Sequence, residues 1–193
     1  MMSKGPIFYR LARTILGFIF KLYYNPKIVG KENIPKEGSI IIAGNHKHLF
    51  DQCLTILSTK RFITYMAKKE YFDNKKVAWF FKAAGCIPVD RSKKDGNAVS
   101  KALEVLNSGN AIGIFPEGTR NKTDKFLLPF KFGAVSMASK TDSYIVPFGI
   151  SGDYKFRSKN LKITIGKPFK VKNMDLEKAN QKLYSAVEKL MKK

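Results

Sequence analysis

The chain has 193 residues, which is enough for one domain with an apolar core and too short to make two domains expected. Its 36 Lys and Arg residues outnumber 15 Asp and Glu residues, for a formal net charge of +21. Such an excess indicates a polyanionic partner: nucleic acid, an anionic bilayer surface or a phosphorylated substrate. Cys53 and Cys86 lie in apolar sequence without metal-ligand spacing, so we expect free thiols in a reducing compartment and no metal site.

Residues 1–26 are predicted to form an amphipathic helix at a membrane interface. The stretch from residue 7 to residue 24 is rich in Phe, Ile, Leu and Tyr, but Arg10, Arg13 and Lys21 interrupt it. A spanning helix needs about 20 mostly apolar residues, and we expect neither a spanning helix nor a cleaved signal peptide here. Basic flanks and a broad apolar face are typical of a helix in the headgroup region. The alternative is a helix packed on the domain's own core.

A histidine and an aspartate follow the first buried strand. Residues 39–43 are a short β-branched run that predicts this strand, and Asn45, His46 and Asp51 come directly after it. Residues five positions apart are turned by roughly 140° on an ideal helix, so His46 is expected in a turn before a helix that begins near Asp51. The carboxylate can then accept the Nδ1 proton and leave Nε2 free as a base. The alternative is a helix-start aspartate beside an ordinary loop histidine.

Two further predicted strands end in basic residues. Residues 62–67 lead into Lys68, and residues 86–89 lead into Asp90 and Arg91. An arginine at a strand end suits bidentate binding of a phosphate or a carboxylate. The alternative is an ion pair between Asp90 and Arg91, which is mildly disfavoured because successive side chains of a strand point to opposite faces.

A turn rich in polar groups follows another buried strand. The strand over residues 111–115 leads into five turn residues: Pro116, Glu117, Gly118, Thr119 and Arg120. Charge is costly at such a place unless it is paired or binds a ligand. Gly118 lets backbone amides approach an anion closely, and Arg120 supplies a bidentate donor. A salt bridge between Glu117 and Arg120 is the alternative, and it is compatible with binding because a carboxylate can hold a substrate-binding arginine in place.

The remaining elements complete a single α/β domain over residues 27–193. A small helix precedes a strand over residues 143–150, and residues 161–165 alternate like an edge or outer strand. The last helix is predicted from Met174 onward, with its cap near Asn173. We expect a central mixed, mostly parallel sheet flanked by helices, with the polar turns at the carboxyl ends of the strands.

Four segments, in this order, resemble the four motifs of the glycerolipid acyltransferase family. They are Asn45 and His46 with Asp51, residues 85–91, residues 115–120 and residues 145–150. Each motif alone is a weak signal, but four with compatible spacing form a specific one. The likeness covers nearly the whole chain and is greatest for the bacterial 1-acylglycerol-3-phosphate acyltransferases of the PlsC type. Lys47 and His48 stand where many members carry Gln or a small polar residue followed by Ser.

The resemblance implies acyl transfer and a role for each motif. His46, held by Asp51, would be the general base on the free hydroxyl of a lysophospholipid as this oxygen attacks an acyl thioester. Asn45 would orient the turn or assist the oxyanion. The residues implied in binding the acceptor's phosphate are Lys68, Arg91, Glu117, Gly118, Thr119 and Arg120. No cofactor is implied.

The resemblance also implies partners and a location. The donor would be acyl-CoA or acyl-carrier protein, the acceptor lysophosphatidic acid, and the product phosphatidic acid. The N-terminal helix would bind an anionic membrane surface, which places the protein peripherally on the cytoplasmic face of the cell membrane. Glycerol 3-phosphate or another lysophospholipid is the alternative acceptor. A basic protein that binds membranes or nucleic acid without catalysis is the non-enzymatic alternative, disfavoured because no nucleic-acid motif is present and the aromatic residues cluster in apolar segments.

Overall fold

The structure is a computed structural model that describes residues 5–92 and 95–193. Its strands are β1 (Lys27–Val29), β2 (Ile40–Gly44), β3 (Ile63–Lys68), β4 (Ile87–Val89), β5 (Ala111–Ile114), β6 (Tyr144–Ser151) and β7 (Lys162–Ile165). Its helices are α1 (Ile7–Tyr24), α2 (Asp51–Ser58), α3 (Glu70–Asp73), α4 (Ala78–Ala83), α5 (Gly96–Asn107), α6 (Gly133–Thr141) and α7 (Leu176–Met191). Strands and helices alternate along most of the chain, as in other α/β domains.

The strands form one mixed sheet in the order β1-β7-β6-β2-β5-β3-β4. The five strands from β6 to β4 run parallel to one another, whereas β7 is antiparallel to β6 and β1 is parallel to β7. All five residues of β2, the central strand, are buried. This is expected where helices cover both faces of a parallel sheet. The predicted mixed, mostly parallel sheet is confirmed.

Successive side chains of β2 enter different cores because they point to opposite faces of the sheet. Ile41 and Ala43 pack in the core that includes buried residues of α5, α6 and α7. Ile40 and Ile42 pack in the other core, with Leu54 of α2 and Phe20 of α1. The helix that follows β2 therefore lies on the same side of the sheet as the N-terminal helix.

Helix α1 has one packed face and one exposed face. Gly17 lies so close to α2 that an added Cβ would be 2.8 Å from Leu57, and the Arg13 Nε donates to the Ile56 carbonyl at 3.2 Å. Seven large apolar side chains of α1 are more than half exposed: Ile7, Leu11, Ile15, Leu16, Phe18, Ile19 and Leu22. Core packing, the alternative interpretation of this segment, thus describes only one of its faces. Within the described ranges no helix is long and apolar enough to cross a membrane.

The start of α7 differs from the prediction. The N-cap is Asp175 instead of a residue near Asn173, because the Asp175 carboxylate accepts hydrogen bonds from the backbone N–H groups of Glu177 and Lys178. Asn173 itself has a left-handed backbone conformation, with φ at 63°. A helix cannot continue through this conformation, so α7 begins after it.

Strand β7 is not an edge strand. It lies between β6 and β1, and Ile163, Thr164 and Ile165 are all buried in succession. The short strand β1 takes the edge position and covers the side of β7 that faces away from β6. The alternation in the sequence was therefore a misleading signal, because Thr164 is as buried as its apolar neighbours.

Candidate active site

The candidate site lies at the carboxyl ends of the parallel strands, beginning with β2. An added Cβ on Gly44, the last residue of β2, would lie 2.3 Å from the Phe148 carbonyl oxygen, so this close approach of β2 to β6 requires glycine. The next residue, Asn45, is buried, and its amide pairs in both directions with the backbone of Ile150, at 3.0 Å and 2.7 Å. These contacts agree with one of the two roles that the resemblance implies for Asn45, the orientation of the turn.

His46 and Asp51 make the contact that their spacing predicted. The His46 Nδ1 and the Asp51 Oδ2 are 2.8 Å apart, with His46 in the turn and Asp51 as the first residue of α2. The same oxygen accepts from the backbone N–H groups of Lys47 at 2.7 Å and His48 at 2.8 Å. The turn thus surrounds the carboxylate of Asp51, a residue whose side chain has no exposed surface. The carboxylate holds the imidazole with Nδ1 turned inward.

The His46 ring is stacked on one face and is partly exposed. The ring stacks on Phe115, with ring centroids 4.0 Å apart and an interplanar angle of 15°. The side chain remains 18% exposed, and Nε2 has no hydrogen-bond partner among the residues that the structure describes. Stacking fixes the plane of the ring and the carboxylate fixes its rotation, so Nε2 is presented to an incoming group with little freedom to move.

Glu117 is a brace for the histidine turn. Its side chain is buried, and it accepts hydrogen bonds from the backbone N–H of His46 and, at 3.0 Å, from that of Leu128. Burial raises the pKa of Glu117, and these two hydrogen bonds oppose the rise. The salt bridge with Arg120, which was the alternative interpretation, is absent from the described part of the chain. Both carboxylate oxygens of Glu117 thus accept from backbone amides, and its place in the phosphate pocket stays a prediction.

Basic side chains collect around the Gly118 turn. Arg91 does not pair with Asp90, since its Nη1 reaches across to donate to the Gly118 carbonyl at 2.7 Å. Arg120 is half-buried, and Thr119 is exposed at the tip of the turn. Lys68 ends β3 next to Val89 of β4 and is exposed.

Lys131 also belongs to this group, although the sequence analysis did not name it. An added Cβ on Gly118, whose φ is +71°, would lie 2.9 Å from the Lys131 Cε. The signal that could have found it is its isolation, since it is the lone charge within the otherwise apolar residues 126–135.

Tyr154 is a second residue that sequence reasoning missed. Its hydroxyl donates to the Asp51 Oδ1 at 2.6 Å, and its ring stacks on His48 with centroids 4.1 Å apart. Burial raises the pKa of Tyr154, and the negative charge of Asp51 raises it further, so the phenol stays protonated and acts as a donor. Burial also lowers the pKa of His48, partly offset by Asp51. Nothing in the sequence around Tyr154 marks it, because it lies in a loop after the fourth motif.

The family model described as Acyltransferase matches residues 25–151. The chain belongs to this acyltransferase family. The acyltransferase is 33% identical to the 1-acyl-sn-glycerol-3-phosphate acyltransferase of Bacillus subtilis over 165 residues, which are 83% of this chain and 81% of that protein. It is 35% identical over 136 residues to the protein of the same name from Borreliella burgdorferi, covering 69% of this chain and 54% of that one. The predicted enzyme class is confirmed.

A solved structure supports the fold of the acyltransferase. The crystal structure of the 1-acyl-sn-glycerophosphate acyltransferase PlsC from Thermotoga maritima matches it with a TM-score of 0.79, covering 95% of this chain and 78% of that chain. Sequence identity between the two is 24%. The predicted α/β architecture is therefore shared with a protein of divergent sequence.

The hydrogen bonds that Glu117 accepts from the backbone give a first prediction. Replacing Glu117 by Ala leaves two partly buried N–H groups without this acceptor, which we expect to lower the free energy of unfolding by about 2 kcal/mol. Turnover should also fall, because the backbone of His46 is released. Urea denaturation and steady-state kinetics measure the two effects. The matched control is Glu104→Ala on the exposed side of α5, and equal stability of the two variants would contradict the role of Glu117.

Proposed function

We propose that the acyltransferase transfers a fatty acyl group from an acyl thioester to the sn-2 hydroxyl of lysophosphatidic acid and forms phosphatidic acid. The names of the relatives from Bacillus subtilis and Borreliella burgdorferi describe an acyltransferase for this acceptor. The observation that carries the proposal is the His46 imidazole, which is partly exposed and is held through Nδ1 by a buried Asp51. This arrangement suits the removal of a proton from a hydroxyl.

The reaction follows from the orientation of the imidazole. Nε2 of His46 takes the hydroxyl proton as the acceptor oxygen attacks the thioester carbonyl, and Asp51 stabilises the imidazolium that forms. The tetrahedral intermediate collapses by breaking the carbon–sulfur bond, and the imidazolium returns its proton to the leaving thiolate. A new ester and a free thiol result. His46 and Asp51 are the catalytic residues in this scheme, and no acyl-enzyme is needed.

The acceptor's phosphate has a basic surface next to this base. Arg91 and Lys131 both contact Gly118, and Arg120 follows two residues later in the same turn. Lys68 lies on the neighbouring strand end, and Thr119 adds an exposed hydroxyl. Guanidinium groups suit a phosphate because they donate two parallel hydrogen bonds. We assign the phosphate to this surface, with Arg120 as its principal ligand.

The donor is an acyl group on a phosphopantetheine thiol, carried by CoA or by acyl-carrier protein. Both carriers are acidic, and the net charge of +21 attracts either one. The chemistry at His46 is the same for both, since the leaving group is the same thiolate.

An apolar surface next to the site supports binding to a bilayer. It consists of the exposed face of α1 together with Trp79 and Phe80 of α4 and Phe156, and we call it the apolar surface. The Phe8 ring makes edge contacts with the rings of Trp79 and Phe80, with centroids 5.7 Å apart in each pair. These contacts connect α1 to α4. A soluble monomer rarely exposes so large a patch, and basic proteins are drawn to anionic lipids. We therefore place the protein peripherally on the cytoplasmic face of the cell membrane, where lysophosphatidic acid resides.

The base is tested by replacing His46 with Ala. Turnover should fall by about three orders of magnitude, because a positioned general base contributes about this much. The assay is thiol release from acyl-CoA with lysophosphatidic acid in mixed micelles, with glycerol 3-phosphate and no acceptor as comparisons. Binding to liposomes should stay unchanged. Substantial remaining turnover would show that another group removes the proton.

The phosphate ligand is tested by replacing Arg120 with Ala. The KM for lysophosphatidic acid should rise about tenfold or more, because a hydrogen bond between charged groups is lost, whereas the KM for acyl-CoA stays the same. Arg120→Lys keeps the charge without the bidentate geometry and should give an intermediate value. Equal rises in both KM values would assign Arg120 to the fold instead of to the acceptor.

The apolar surface is tested by placing a charge on it. Phe18 is 68% exposed, and Phe18→Asp should weaken binding to anionic vesicles about tenfold, since a large apolar side chain no longer enters the interface. Vesicle co-sedimentation measures the effect. Val99→Asp on α5 introduces the same charge at another exposed apolar position and serves as the control. Equal binding by both variants would remove α1 from the membrane contact.

A further inference from the structure

We propose that Tyr154 is a positioning residue for transfer, holding the Asp51 carboxylate that orients His46. Tyr154 lies outside all four motifs and, through Asp51, completes the support of the base. This inference rests on the proposed function of His46 as general base. It assigns a residue that the resemblance to the acyltransferase family does not.

The two oxygens of Asp51 have unequal support. Oδ2 accepts from His46 and from two backbone N–H groups of the same turn. Oδ1 accepts from the Tyr154 hydroxyl alone among the residues that the structure describes. Since the side chain of Asp51 has no exposed surface, Oδ1 depends on Tyr154 for its hydrogen bond.

Loss of this hydroxyl changes the base through the carboxylate. A donor on Oδ1 draws negative charge away from the carboxylate and fixes its plane, and with it the direction of the bond to His46. Without that donor the carboxylate is more negative and freer to turn. It then stabilises the imidazolium more strongly, and His46 stays protonated to higher pH, which removes the base from part of the working range.

The loop that carries Tyr154 is tied to the end of α1. The backbone N–H of Arg157 donates to the Tyr23 carbonyl at 2.6 Å, and the Tyr23 and Phe156 rings are 5.0 Å apart. The Tyr154 ring itself makes edge contacts with Phe20 at 6.5 Å and Tyr24 at 5.6 Å. The Tyr154 ring thus packs against α1, His48 and the core that contains Leu54 of α2, and this packing holds its hydroxyl toward Asp51.

Several titratable groups surround the pair of His46 and Asp51, and burial raises the pKa of one of them, Glu117. The groups that interact with His46 or Asp51 are His48, Cys53, Tyr65, Glu117 and Tyr154. The positive charges of Lys47 and Arg120 act on His48. Burial raises the pKa of Cys53 to about 11 and raises the pKa of Tyr65 further still. A change in the acidic limb of the pH–rate profile can therefore come from a histidine or from Glu117, and the NMR titration of the histidine rings decides between them.

The test is Tyr154→Phe in the full chain, which removes the hydroxyl and keeps the ring that stacks on His48. The control is Tyr184→Phe, which removes a hydroxyl from a tyrosine on α7, in the core on the other side of the sheet. The kinetic readout is kcat for thiol release from about pH 5 to 9, the range in which histidines titrate. The second readout is the NMR titration of the two histidine rings, with His48→Gln to assign the signals.

For Tyr154→Phe we expect kcat to fall about tenfold while the KM for lysophosphatidic acid changes little, because the hydroxyl acts on the base and not on the phosphate. The midpoint of the acidic limb should rise by about half a pH unit to one unit. The titration midpoint of the His46 ring should move in the same direction. Tyr184→Phe should match the wild-type protein in all three measurements.

An unchanged His46 titration in Tyr154→Phe would overturn the inference. So would a fall in kcat that comes with reduced thermal stability and no shift of the acidic limb, since packing alone explains that result. The ring titration needs no substrate, so it separates this inference from the proposed function. If the wild-type protein released no thiol with any acceptor, the proposed function would fail, and the link from Tyr154 to His46 would still be decided by NMR.

Discussion

The burial of the Asp51 carboxylate is the constraint on which the candidate site depends. A charge without exposed surface is very costly unless donors surround it, and four donors do so here. Three of them belong to the turn that contains His46, so the turn can adopt only a conformation that points its N–H groups inward. The fourth, the Tyr154 hydroxyl, draws the loop after β6 into the same structure. The base and its support are therefore one folded unit.

The motif residues mostly hold one another in place. Asn45 pairs with the backbone of Ile150, Glu117 accepts from the backbone of His46, and Arg91 donates to the backbone of Gly118. Each of these contacts joins two motifs at the carboxyl edge of the parallel strands. Their combined effect is a rigid frame, which a reaction that requires a base and a phosphate site at fixed separation needs. The cations around Gly118 then remain available for an anionic ligand.

Helix α1 connects the apolar surface to this frame. Its packed face contacts α2, which begins at Asp51, and its last turn contacts the loop that carries Tyr154. Its other face exposes large apolar side chains. A helix with these two faces places a bilayer, where one is bound, next to the residues that would act on a lipid. The position of the helix thus matters as much as its amphipathic sequence.

Periodicity and local spacing predicted most of the strands and helices along the chain, the α/β architecture and the contact between His46 and Asp51. Each of these features depends on hydrophobic periodicity or on the spacing of residues a few positions apart. Both can be read directly from the sequence. Long-range packing was needed to show the contacts of Asn45 and Glu117, the covered position of β7 and the presence of Tyr154 and Lys131 beside the motifs. The contacts responsible join residues 105, 71 and 103 positions apart, from Asn45 to Ile150, from His46 to Glu117 and from Asp51 to Tyr154. Such contacts follow from the order of strands in the sheet, and that order results from packing of the whole domain instead of from any local pattern.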